Sequence, residues 1–167
     1  MSRTHMLLAL LACASAMIVP QAFAQNADMT EEQLSRMTGV DPLWVHITPC
    51  LASSVFESTL AKERADGVTP DQLRKQLADQ LASNPKLETY LADFYSVDEK
   101  AIADDIRQKH DNCVANITGA PLGQVDACYE RLYAPYLQTL FGSHPQAADP
   151  RGTRIAYTAC LKKALGQ

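Results

Sequence analysis

His110, Asp111 and Cys113 make the compact cluster of this chain that comes nearest to a nucleophile beside a base. An imidazole that meets a thiol can take its proton and activate it. On a helix, however, the spacing puts His110 and Cys113 on neighbouring turns of one apolar stripe with Ile102, Ile106 and Ile117, so the cluster reads as a core histidine beside a disulfide. Ser53-Ser54 lacks the flanking glycines of an exposed nucleophile elbow, and Glu57 and Glu63 fit a solvated helix face. Neither C-x2-C nor C-x-x-C-H occurs, so no structural zinc, haem or other cofactor is expected. With no nucleophile placed beside a base, the chain is not read as an enzyme. Asn116-Ile117-Thr118 matches a glycosylation sequon, but a helical Asn is a poor acceptor.

Tyr90, Phe94 and Tyr95 fall on one predicted helix, and Tyr129, Tyr133, Tyr136 and Phe141 on another. They could line a ligand groove or supply an interface, but aromatic residues at helical spacing more often fill a core. Trp44, beside His46 in a proline-bounded turn, could pack as a lid over the bundle.

Cys50, Cys113, Cys128 and Cys160 all lie in predicted helices, on or near the apolar stripes. Four cysteines allow three connectivities. The expected one is Cys113–Cys128, tying two helices across the 119–123 loop, with Cys50–Cys160 tying the first long helix to the last.

Disulfides are expected because residues 1–24 read as a secretory signal. Arg3 and His5 precede an apolar run from Met6 to Val19, and Ala22-Phe23-Ala24 is an A-x-A cleavage site that makes Gln25 the first mature residue. Leu10-Leu11-Ala12-Cys13 offers an alternative, a lipobox that would anchor a lipoprotein at Cys13. A retained membrane span is not expected, since the run falls short of the roughly 20 residues needed. Residues 25–167 then form a single domain.

The punctuation of those residues is helical. Thr30-Glu31-Glu32-Gln33 and Thr69-Pro70-Asp71-Gln72 are capping patterns, and Ser96-Val97-Asp98-Glu99 is read as a third. Asp41-Pro42 could start a turn through Trp44, but Thr48-Pro49 is read as the better helix start, running to Asp66-Gly67. Leu73, Leu77 and Leu81 predict one helix to Asn84-Pro85, and the stripe from Ile102 predicts the longest, ending at Gly119. A helix from Val125 to Gly142 is kinked by Pro135, and a last helix starts near Thr153. The expectation is an all-α bundle of about six helices, stapled by disulfides.

The chain carries 15 Lys+Arg against 19 Asp+Glu, and removal of residues 1–24 takes away Arg3 alone. That balance disfavours nucleic acid and anionic lipid and suits a basic partner.

A small exported helical chain, acidic, stapled by Cys50, Cys113, Cys128 and Cys160 and without catalytic motifs, resembles the periplasmic immunity proteins that neutralise type VI secretion amidases and related cell-wall toxins. The resemblance implies an all-helical bundle, often a homodimer, that binds one protein partner by inserting a loop into its active-site cleft. It makes the 142–152 loop the plug, with Ser143, His144, Gln146, Asp149 and Arg151 as its contacts, and the 119–124 loop the second candidate. The competing reading is an envelope stress chaperone, switched by acid, or a small-ligand carrier.

Overall fold

A computed structural model describes Thr30, Gln33 and residues 38–167 of the protein. The expected signal sequence, its alternative at Cys13 and most of the helix expected from the Thr30–Gln33 cap lie outside the described residues. Within that cap, Gln33 N–H still donates to Thr30 Oγ1 at 3.2 Å and Thr30 N–H to Gln33 Oε1 at 2.8 Å.

The described residues form an all-α bundle stapled by two disulfides, with no strand among them. In chain order the helices are α1 (Pro42–Ala65), α2 (Pro70–Gln76), α3 (Ala78–Ser83), α4 (Lys86–Ser96), α5 (Ile102–Thr118), α6 (Leu122–Cys128), α7 (Ala134–Phe141) and α8 (Pro150–Ala164). A π-helical turn, Tyr129–Tyr133, joins α6 to α7. Short 3-10 turns at Glu99–Ala101 and Pro145–Ala147 precede α5 and α8.

α1 and α5 are the spine. Cys50 meets Cys113, Ser54 meets His110 and Glu57 meets Lys109, so the two helices run antiparallel along their length. Each contributes to two cores. Ile47, Leu51 and Val55 of α1 pack with Val114, Val125, Tyr133, Tyr157 and Leu161 in the first. Leu60, Ile102 and Ile106 pack with Leu73, Leu77, Leu91 and Phe94 of α2–α4 in the second. Burying such side chains supplies about 1.5–3 kcal/mol each before chain entropy is charged against it.

The disulfides are Cys50–Cys113 and Cys128–Cys160, not Cys113–Cys128 and Cys50–Cys160 as expected. Cys113 points along the α5 stripe into α1, where Cys50 stands with a Cα–Cα distance of 5.7 Å. Cys128 ends α6 facing α8, and its Cα lies 5.9 Å from that of Cys160. The bridges therefore close consecutive stretches of chain instead of nested ones.

Several helix boundaries also differ. α1 begins at Pro42 with Asp41 as its cap, accepting from Leu43 N–H at 3.0 Å, and runs through Pro49. Thr48 is an interior residue whose hydroxyl donates to the Trp44 carbonyl at 2.8 Å. Buried Ile47 and Cys50 hold the backbone on either side of the proline, and tertiary packing outweighs the lost hydrogen bond. The leucine helix breaks at Leu77 into α2 and α3, although the Thr69–Gln72 capping box forms as read. At the 96–99 pattern the cap is Asp98, which accepts from Lys100 N–H, while Ser96 still belongs to α4. α8 begins at Pro150, because Asp149 accepts from Gly152 N–H at 2.9 Å.

Ahead of Pro135 the expected continuous helix gives way to the π turn. Pro135 has no N–H to bond four residues back, and the Ala134 N–H instead reaches five residues back to the Tyr129 carbonyl. The widened turn sets Tyr129 and Tyr133 on one face, rings 5.8 Å apart, both against α5.

Candidate functional site

His110 is the centre of the buried polar chemistry. It is 2% exposed. Its Nδ1 lies 2.8 Å from Ser54 Oγ on α1 and its Nε2 lies 2.8 Å from the Tyr157 hydroxyl on α8. Tyr133 stacks on the imidazole at 5.0 Å between centroids, and Tyr129 leans on it at 4.8 Å. The tyrosines fill space around a core histidine, as aromatic spacing suggested. A further bond, from the Tyr133 hydroxyl to the Leu51 carbonyl at 3.2 Å, ties the π turn to α1.

One proton arrangement satisfies every group. Nδ1–H donates to Ser54 Oγ, Ser54 donates to the Cys50 carbonyl at 3.0 Å, and the Tyr157 hydroxyl donates to Nε2. Burial supports the neutral ring by pushing His110 down to about 4. Burial also holds Tyr157 far above its ordinary value, so it stays a donor. A serine nucleophile needs the imidazole lone pair on its own proton. Here the polarity runs the other way, and Ser54, His110 and Tyr157 are all buried. Cys113, the other nucleophile weighed beside His110, is oxidised.

Sequence reasoning missed this pairing because Ser54 carries no motif. The usable signal was its place one turn after Cys50, as His110 is one turn before Cys113.

Glu57 is a correction. Read as solvated, it is 2% exposed at the junction of the two cores. Its Oε1 accepts from the Tyr90 hydroxyl, and Lys109 Nζ stands 3.5 Å away, itself 2.7 Å from Asp105. Tyr90 is a polar latch between α4 and the spine as well as a ring packed 5.9 Å from Phe56.

Asp111 forms a second buried carboxyl, 4% exposed, with Oδ1 unpartnered among the described residues. Burial, followed by the nearby Asp126 carboxylate, pushes it up to about 7. Arg107 pulls the other way while bridging Asp126 at 2.7 Å, Asp104 at 3.3 Å and Glu130 at 3.4 Å.

The expected plug is shorter and stiffer than a free loop. Ser143, His144 and Gln146 are exposed and stand together on the link between α7 and α8. Its 3-10 turn is closed by Ala147 N–H to the His144 carbonyl at 2.9 Å, and Ala148 packs against the first core. Asp149 is engaged as the cap of α8, and exposed Arg151 lies inside that helix, not on the link. The 119–124 segment is a loop only over its first half. Gly119, with φ +75°, ends α5, and α6 begins at Leu122. Trp44 lies in α1 and packs partly buried against the first core.

A shallow groove of about 430 Å³ opens beside α2 and α4, lined by Asp71, Arg74 and Tyr95 among others. The described residues contain no group of three or more His, Cys, Asp or Glu able to hold a metal ion. No helix among them is long and apolar enough to cross a membrane. The two disulfides indicate an oxidising environment. No family model, curated protein or solved structure matches the chain.

Proposed function

We propose that the protein is a periplasmic protein-binding inhibitor of the immunity type, without catalytic activity of its own. It neutralises a cell-wall-degrading toxin by presenting Ser143, His144 and Gln146 of the link, with Arg151 on the adjoining first turn of α8, to the toxin's active site. The observation that carries this reading is an exposed polar segment seated between two anchored helices. α7 is fixed by Tyr136 and Leu137, and α8 by Tyr157, Leu161 and the Cys128–Cys160 bridge. A recognition element held this way loses little freedom on binding, which is where rigid scaffolds gain affinity.

The test is capture from lysate of the host organism with the disulfide-bonded protein and a variant carrying Ser143→Ala, His144→Ala, Gln146→Ala and Arg151→Ala. Asp149 is retained because it caps α8. The expected result is one stoichiometric cell-wall hydrolase whose activity the wild type suppresses and the variant does not. Equal capture by both proteins, or a broad set of weak unfolded clients, overturns the reading, the latter in favour of a chaperone.

A further inference from the structure

The net acidity of the chain hides a local reversal. Residues 150–167 hold Arg151, Arg154, Lys162 and Lys163 and no Asp or Glu, whereas acids outnumber bases in residues 41–149. Lys162 is bound to Asp41. Arg151, Arg154 and Lys163 meet no carboxylate among the described residues.

The outer face of α8 gathers these charges. Arg151, Ile155, Ala159 and Lys163 recur every four residues, and all four are exposed. At 1.5 Å per residue the row spans about 18 Å. Ile155, 58% exposed, stands between the cations, and Ala159 leaves room for a close approach. Arg131 reaches the same helix, with its guanidinium 3.1 Å from Cys160 Sγ.

Local stability does not account for this pattern. Arg151 sits in the first turn of α8, where the helix dipole disfavours a positive charge, and that turn holds no acidic residue. An exposed Ile flanked along the helix by Arg151 and Lys163, with half-buried Arg154 next to it, is the arrangement of a docking face, with an apolar centre and a charged rim.

From this we infer that the outer face of α8 docks an acidic surface of the partner protein, seating one apolar side chain against Ile155 and carboxylates against Arg151, Arg154 and Lys163. The inference rests on the proposed protein-binding function and reverses the partner charge that the net balance suggests. It extends the contact surface from the Ser143–Gln146 segment onto α8, whose first turn carries Arg151. A bilayer fits less well, because one Ile and one Ala offer little area for interfacial insertion and the rest of the protein is acidic. The same acidity opposes nucleic acid.

The test places a photoreactive benzophenone side chain at position 155, or at position 144, in the full chain expressed in its host. Adducts are mapped by mass spectrometry. The expected adduct at 155 lies on an Asp/Glu-rich segment of a protein. It should fall at least about tenfold in yield with Arg151→Glu, Arg154→Glu and Lys163→Glu combined, since like charges across an interface are strongly disfavoured. The milder pair Arg151→Gln and Lys163→Gln should fall between, and both variants should keep the wild-type disulfides and melting temperature. An adduct through 144 alone overturns the α8 face and leaves the inhibitor reading standing. Adducts through neither position overturn both. An adduct at 155 to lipid, nucleic acid or a basic protein segment, or one indifferent to charge reversal, overturns the inference.

Discussion

Ser54 Oγ lies 2.8 Å from His110 Nδ1, one helical turn from the Cys50–Cys113 bridge on both helices. The covalent rung and the polar rung hold α1 and α5 in one register. Ser54→Ala removes the acceptor of a buried imidazole N–H and should cost about 1–3 kcal/mol. Urea unfolding of the oxidised protein checks this, and a loss below about 0.5 kcal/mol would contradict the assigned proton arrangement.

His110 and Asp111 are neighbours with opposite pH dependence. His110 falls from 6.5 to about 4 on folding, so its contribution is complete above about pH 6.5 and is lost as pH falls towards 4. Asp111 rises from 3.8 to about 7, so the folded state favours its proton, and stability is lost as pH rises through that window. Tyr129, Tyr133 and Tyr157 face the histidine, and Asp126, Glu130 and Arg107 influence the aspartate. Between about pH 4 and 6.5 the two slopes largely cancel. Asp111→Asn should unmask the histidine, with stability falling by up to about 1.4 kcal/mol per unit as pH is lowered from 6.5. Denaturation of wild type and variant across that range reads the slope directly, and parallel profiles refute it.

Peptide mapping without reduction should recover Cys50 linked to Cys113 and Cys128 linked to Cys160. In the chain-entropy description, bridges spanning 63 and 32 residues each stabilise by about 4 kcal/mol. Replacing either pair with alanine should lower the unfolding midpoint substantially. Any Cys50–Cys160 peptide from the native protein would refute this helix arrangement.

Neither bridge reaches α2–α4. That unit is held by its leucines and Phe94, by the Glu57–Tyr90 contact, and by Arg64 donating to the Phe94 and Val97 carbonyls at 3.3 and 2.9 Å. Backbone amides of residues 70–96 should therefore exchange with deuterium faster than those of α5 and α8. Glu57→Leu should widen the gap by releasing Tyr90, and uniform protection across the chain would contradict the two-core description.

Asp149 and its neighbours should separate cleanly. Asp149→Ala removes a helix cap and should cost about 1 kcal/mol, whereas Ser143→Ala, His144→Ala and Gln146→Ala together should stay within about 0.5 kcal/mol. Thermal melts of the two variants decide this. Equal losses would mean that the exposed segment supports the fold.

Helices announced by their own ends were legible in the chain. Thr69 with Gln72, Gly67 and Gly119 mark boundaries through local hydrogen bonds and positive φ, which need no tertiary context. The start of α1 was not, because Pro49 reads locally as a first-turn residue and only the packing of Ile47 and Cys50 carries the helix through it. Glu57 was missed for the same reason, since its surroundings come from α4 and α5, distant in sequence. His110 was legible as a core residue from its stripe, but Ser54 and Tyr157 were not, because partners across helices follow from a register set by the cysteine pairing. The chemistry of the candidate contact segment is visible in Ser143 and His144, while the work of Asp149 as a cap appears only once α8 is seen to begin at Pro150.

Bridges that close consecutive stretches also bear on the order of assembly. For a chain delivered N-terminus first, Cys50 can find Cys113 before residues 128 and 160 arrive. A nested pairing would leave Cys50 an unprotected thiol until nearly the last residue, open to mismatched exchange with every cysteine that follows. Here the first half can lock while the second is still being delivered, and the last helix then finds a finished spine on which to place Tyr157 against His110.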